Sequence, residues 1–119
     1  MTPYLQVSGQ DRVFALGDVS TADHKMAGIA TRQAQVVAGN ISALIAGEAD
    51  LTPYEPSAPV IIVPVGPAGG SGQLPGSDDL ATSEMVAQVK GRDMLIGRYA
   101  ELFGVTAPAG QEGDKPPGT

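Results

Sequence analysis

The sequence predicts an α/β chain, read as an α+β fragment: the last strand and helix of a larger α/β domain, then a small hairpin-and-helix layer. Three observations carry that expectation. A continuous apolar run, Val13-Phe14-Ala15-Leu16, stops at Gly17-Asp18, as a strand buried on both faces does. Apolar residues then recur at Met26, Ile29, Ala30, Ala34, Val37, Ile41, Leu44 and Ile45, the spacing of one greasy stripe along a helix. Finally, the β-branched run Val60-Ile61-Ile62-Val63-Pro64-Val65 leads through a glycine-rich turn to a second helical pattern.

In chain order, Tyr4-Leu5-Gln6-Val7 reads as a short strand ended by Ser8-Gly9-Gln10-Asp11. Residues 13–16 read as a buried parallel strand. The periodic stretch from His24 to Ala46 reads as a helix, with Ser20, Thr21 or Asp23 as its cap and Gly47 as the left-handed residue after its end. Thr52-Pro53-Tyr54-Glu55-Pro56 forms an extended crossing, because each proline removes a donor and restrains its predecessor. Residues 60–65 form the strongest strand, Gly66 to Gly72 turns the chain, and Ser71 to Leu74 returns as a second strand. From Ser83, the pattern Met85, Val86, Val89, Leu95, Ile96, Tyr99, Leu102 and Phe103 suits helix. Gly91 and Gly97 each weaken that helix by about 1 kcal/mol relative to Ala, so two short helices, or one broken near Gly91, are expected. A parallel strand needs crossover connections and neighbouring strands, and this inventory supplies none. The first fifty residues therefore read as the end of a domain whose beginning is missing.

Composition narrows the chemistry. The chain has 119 residues, enough for one domain, and only 4% of them are aromatic, so few large side chains can fill a core. Its net charge of −6 argues against phosphate-backbone binding, so no nucleic-acid partner is expected. The absence of cysteine removes disulfides, thiolate metal sites and Cys nucleophiles. A single histidine removes a multi-His cage, and no metal site is expected. Neither a membrane span nor a signal peptide is expected from the apolar patterning. Residues 104–119 combine seven Gly and Pro with few larger apolar side chains and are expected to form a disordered tail. The expected organisation is 1–50, 51–103 and that tail.

Asp18 follows a strand and precedes a helix, where open α/β sheets bind ligands. Its carboxylate can accept a hydrogen bond from a ligand hydroxyl, with Gly17 allowing close backbone approach, or it can cap a turn. Lys25 is either an exposed first-turn lysine or a cation directed at a ligand. His24 reads as a proton relay or a surface residue, and Gln33 as a pocket-facing or solvent-facing amide. Gly66-Pro67-Ala68-Gly69-Gly70-Ser71-Gly72 lacks the Gly-Lys-Ser/Thr ending of a phosphate loop and reads as a turn. Asp78-Asp79 reads as a solvated loop. Lys90 and Arg92, beside an apolar helix, could meet anionic lipid heads or a partner, but two charges are too few to specify such a contact.

The block Val13-Phe14-Ala15-Leu16-Gly17-Asp18-Val19, followed by Lys25-Met26-Ala27 opening a helix through Gln33-Ala34 to Asn40-Ile41, resembles the closing FAD-binding segment of two-dinucleotide-domain flavoprotein oxidoreductases. Within these it is most similar to the apoptosis-inducing-factor-like group with its ferroptosis-suppressor-type quinone reductases, and more distantly to type II NADH dehydrogenases. Tyr54-Glu55-Pro56, Pro64-Val65-Gly66, Gln73-Leu74 and Lys90-Gly91-Arg92-Asp93-Met94-Leu95-Ile96 fit the same group.

The resemblance implies the end of an FAD-binding Rossmann-like domain over 1–50 and a small C-terminal α+β domain over 51–103. It implies that Gly17 and Asp18 meet the ribityl chain of FAD, while Lys25, Met26 and Ala27 face the pyrimidine end of the flavin. A helix N-terminus suits that end, since its unpaired N–H groups favour negative charge. The implied activity is electron transfer from NAD(P)H through FAD to a quinone-like acceptor, in a cytoplasmic or membrane-peripheral enzyme. Neither glycine-rich dinucleotide fingerprint of such enzymes occurs here. The chain is therefore expected to be inactive alone and to need the missing dinucleotide-binding domains, in cis or as a separate chain. The other class open to it is a non-enzymatic remnant or interaction module that keeps the fold fragment without flavin.

Overall fold

Twenty residues, Ala27–Ala46, form the long helix α1. In the computed structural model, which describes residues 1–106, it is the main element of the first of two compact units, Met1–Pro59; the second begins at Val60. The helix ends where expected: Gly47 adopts φ 77°, and its N–H returns to the last-turn carbonyls of Ala43 and Leu44. Its start lies three residues later than expected. Met26 is the N-cap, without a side-chain cap, because Ser20 and Asp23 spend their oxygens on the N–H groups of Ala22 and His24 in the preceding loop.

The buried face of α1 differs from the expected stripe. It consists of Ile29, Gln33, Val37 and Asn40, while Ile41, Leu44 and Ile45 remain exposed. Ile29 and Val37 pack with Leu5 and Tyr54, and Phe14, Leu16, Ala22, Met26 and Val36 cover that cluster. Each such aliphatic side chain contributes about 1.5–3 kcal/mol on burial. Asn40 is fully enclosed and satisfied by backbone: its Nδ2 donates to the Thr52 carbonyl at 2.9 Å and its Oδ1 accepts from Thr52 N–H at 2.8 Å. These two hydrogen bonds to the Thr52 backbone pin the extended segment against the helix. Tyr54 N–H adds a bond to the Pro3 carbonyl at 2.9 Å.

The expected buried parallel strand at 13–16 is corrected. Phe14 forms an isolated antiparallel bridge with Gln6, through Val7 N–H to the Val13 carbonyl at 2.8 Å and Ala15 N–H to the Leu5 carbonyl at 3.0 Å. Val13 is exposed. Among the described residues no parallel strand adjoins the run, and its backbone groups pair with residues 5–7 instead. The Tyr4–Val7 strand shrinks to the same bridge, because Leu5 adopts φ 63° and breaks the extended geometry there.

In the second unit, β1 (Ile61–Pro64) and β2 (Gly70–Gln73) form an antiparallel pair with Ile61 opposite Gln73 and Pro64 opposite Gly70. Val65 N–H to the Gly69 carbonyl, 3.0 Å, closes the turn between them. The glycine-rich stretch thus serves the hairpin. Thr82 caps α2 (Ser83–Val86), its Oγ1 accepting from Met85 N–H at 3.2 Å. A π-helical turn, Ala87–Gly91, continues it, with Val86 completely buried. The break expected near Gly91 lies just beyond it, at Met94 and Leu95, whose φ values are 51° and 66°. α3 (Ile96–Phe103) follows and ends on Gly104 at φ 64°. Helices and one antiparallel pair make the described chain α+β. Most of the expected disordered tail, residues 107–119, lies outside the described residues.

Candidate functional site

Gly17–Val19 form a single 3₁₀ turn that packs on the first two turns of α1. Gly17 has φ 71°, a conformation that favours glycine. Its N–H donates to Gln33 Oε1 at 2.7 Å, and its carbonyl accepts from Ser20 N–H at 3.0 Å. The turn is thereby fixed to the helix while Asp18 is left exposed. No hydrogen bond among the described residues uses the Asp18 carboxylate.

The loop from Ser20 to Met26 is braced from three sides. Ser20 is fully buried, and its carbonyl accepts from Lys25 Nζ. Lys25 therefore folds back along its own loop. Tyr54 donates its hydroxyl to Asp23 Oδ2 at 2.6 Å, and Asp23 Oδ1 accepts from His24 N–H at 2.7 Å. The Tyr54 hydroxyl, followed by the His24 N–H, holds the Asp23 carboxyl below its ordinary value. Burial first, and then the Asp23 carboxylate, pushes the Tyr54 phenol above its own. The His24 side chain is exposed.

At the head of α1, the first intrahelical bond runs from Ala30 N–H to the Met26 carbonyl at 2.9 Å. The N–H groups of Ala27, Gly28 and Ile29 lie before it, with no side-chain cap. Beside them, a Cβ on Gly28 would meet nothing within 4 Å, whereas Ile29 is buried. The helix start, without a side-chain cap, offers donors, and the exposed Asp18 carboxylate, on a turn tied to the same helix through Gln33, offers an acceptor. That pair can hold a ligand that is anionic or carbonyl-rich at one end and hydroxylated at the other.

Of the residues singled out in the sequence, Gly17 and Asp18 lie on the turn, and Lys25, Met26 and Ala27 lead into and begin the helix. Gln33 faces neither solvent nor a pocket. It is buried and holds the Gly17 backbone. Sequence reasoning missed this role and that of Tyr54 and Asp23. The signal for Gln33 was its spacing, four residues from both Ile29 and Val37. Lys90 donates to the Ile62 carbonyl at 3.3 Å, which ties the π-helical turn to β1. Asp78 and Asp79 lie exposed. No helix among the described residues is long and apolar enough to cross a membrane.

No family model matches the chain. Over 106 residues, 88% of its length, it is 32% identical to Ferroptosis suppressor protein 1 of Xenopus tropicalis. The match covers 28% of that protein, so the chain spans under a third of the relative's length. This similarity supports the general group indicated by the Gly-Asp block and the helix after it.

Proposed function

We propose that this chain is the C-terminal flavin-holding part of an FAD-dependent NAD(P)H oxidoreductase of the ferroptosis-suppressor type, whose electrons go to a quinone-like acceptor. The observation that carries this reading is that Gln33 ties the turn bearing the exposed Asp18 carboxylate to α1, a helix whose first N–H groups have no side-chain cap. The partial match to the Xenopus protein supports it.

The residues present fit part of FAD. Gly17, in its left-handed conformation, lets the backbone come close to the ribityl chain. Asp18 accepts a hydrogen bond from a ribityl hydroxyl. Ala27 and the following N–H groups favour the negative pyrimidine edge through the helix dipole. Met26 supplies apolar surface at the helix start, and Lys25, bound to the Ser20 carbonyl, holds the loop in shape. When bound, FAD supplies hydride acceptance from NAD(P)H and onward electron transfer; the protein positions it and tunes its electronics. The dinucleotide-binding parts come from elsewhere, in the same polypeptide or a second one, and the chain does not turn over alone.

The test is a chimera in which this chain replaces the matching segment of the Xenopus relative. Bound flavin is measured by absorbance after gel filtration. Asp18→Ala removes a charge-assisted hydrogen bond of about 1.5–3 kcal/mol, so flavin affinity is expected to fall roughly 10- to 150-fold. Unchanged retention in a folded Asp18→Ala chimera refutes the role of Asp18. A folded parent chimera without flavin supports the non-enzymatic remnant instead.

A further inference from the structure

α1 begins later than its own sequence favours. His24, Lys25 and Met26 include neither glycine nor proline, and Asp23 is a residue type that caps helices well. By local preference the helix would start at His24 with Asp23 as its N-cap. It starts instead at Ala27, behind Met26, whose side chain caps nothing. Three residues, about 4.5 Å of helix axis, are kept out.

The carboxylate that would cap them is engaged elsewhere. Asp23 Oδ2 accepts from the Tyr54 hydroxyl at 2.6 Å, and Oδ1 accepts from His24 N–H at 2.7 Å. The first of these bonds ends on a fixed point. Tyr54 is buried in the cluster with Leu5, Ile29 and Val37, and its N–H donates to the Pro3 carbonyl. Two residues earlier, Asn40 binds the Thr52 backbone twice. The phenol is thus tied to the body of α1, and Asp23 is tied to the phenol. The other side-chain bond from residues 24–26 is Lys25 Nζ to the Ser20 carbonyl, made by an exposed, flexible chain.

We propose that Tyr54 is a positioning residue for the head of α1: by taking the Asp23 carboxylate it denies the helix its favoured N-cap, stops it at Ala27, and leaves the Ala27 and Gly28 N–H groups without intrahelical acceptors. That this serves to hold flavin rests on the reading above. Burial decides the competition. A phenol in a buried residue is costly to leave without a partner, and its bond to a carboxylate is charge-assisted. Ala27 and Gly28 are exposed, so water can serve their N–H groups at little cost. Without the phenol the balance reverses. Asp23 caps, the Ala27 N–H turns to the Asp23 carbonyl and the Gly28 N–H to the His24 carbonyl, and the free donors retreat to residues 24–26.

The experiment uses the whole chain, with backbone chemical shifts read by NMR and amides by hydrogen exchange. In Tyr54→Phe, helical shifts are expected at His24, Lys25 and Met26, with exchange at Ala27 and Gly28 slowed at least tenfold. Adding Asp23→Ala removes the cap, and both gains are expected to vanish. Adding Asp23→Asn keeps a capping side chain, and both are expected to persist. A merely structural Tyr54 would instead loosen the loop in all three variants. Asp23→Ala alone leaves the buried ring in place and is expected to give no helix gain, a test that stands whether or not the Tyr54 variants fold. A folded Tyr54→Phe chain without helix gain, a gain that survives Asp23→Ala, or a gain in Asp23→Ala alone overturns the proposal. Flavin retention is read separately, in the chimera described above, where Tyr54→Phe is expected to lower flavin affinity at least tenfold. Helix gain with unchanged flavin affinity keeps the hold of Tyr54 on α1 and rejects the flavin reading. Flavin loss without helix gain rejects the hold of Tyr54.

Discussion

The Gln33 side chain shows how one buried residue can set the backbone of a distant turn. Its amide oxygen fixes the Gly17 N–H and so sets where the Asp18 carboxylate emerges. Tyr54 and Asp23 act similarly on the loop behind it. Their pairing has a pH signature. The Asp23 carboxyl is lowered from 3.8 in the folded chain, so its contribution is present above that value and is lost as pH falls through the lower folded value. The Tyr54 phenol is raised from 10.0, so its contribution is present below that value and is lost as pH rises through the higher folded value. Urea titrations of wild type and Tyr54→Phe are expected to converge at both extremes and to separate across the neutral range. Parallel curves from pH 3 to pH 11 would count against the bond.

At the scale of elements, the segment joining the π-helical turn to α3 carries stored strain. Met94 and Leu95 are consecutive left-handed residues without glycine, a conformation costing roughly 1–2 kcal/mol each. Asp93 offsets part of this, its two carboxylate oxygens accepting from Leu95 N–H at 2.9 Å and Gly97 N–H at 3.1 Å. Leu95→Gly therefore relieves backbone strain at the cost of a half-buried side chain. Asp93→Ala removes the compensation alone. Asp93→Ala is expected to destabilise the chain by about 1 kcal/mol, and Leu95→Gly added to it to recover part of that loss, as measured by thermal unfolding. Additive losses would place the strain elsewhere.

At the scale of the whole molecule, much apolar surface remains unpaired. Val19, Ile45, Leu102 and Phe103 are each more than two-thirds exposed, and few residues are fully buried. In the proposed reading the isolated chain supplies an acceptor and donors for one end of FAD, while its sequence holds no glycine-rich dinucleotide fingerprint for the pyrophosphate. It is therefore expected to remain colourless after incubation with FAD and dialysis, whereas the chimera retains flavin. Stoichiometric flavin on the isolated chain would overturn the proposal that further dinucleotide-binding parts are needed.

The sequence by itself determined the local elements. The 3–4 spacing and Gly47 located α1 and its end, β-branched residues and glycines located the β1–β2 hairpin, and the glycines near 91 and 97 signalled a broken helix. These features depend on neighbours within a few residues, where backbone sterics and side-chain periodicity act. Only the tertiary structure decided which way Phe14 pairs, which face of α1 is buried, and that Gln33, Asn40 and Tyr54 do the bracing. A polar side chain is placed in a core by the distant backbone group it satisfies, such as the Gly17 or Thr52 peptide, and a strand's partner is whichever extended edge lies within reach. Neither is written in the spacing of nearby residues.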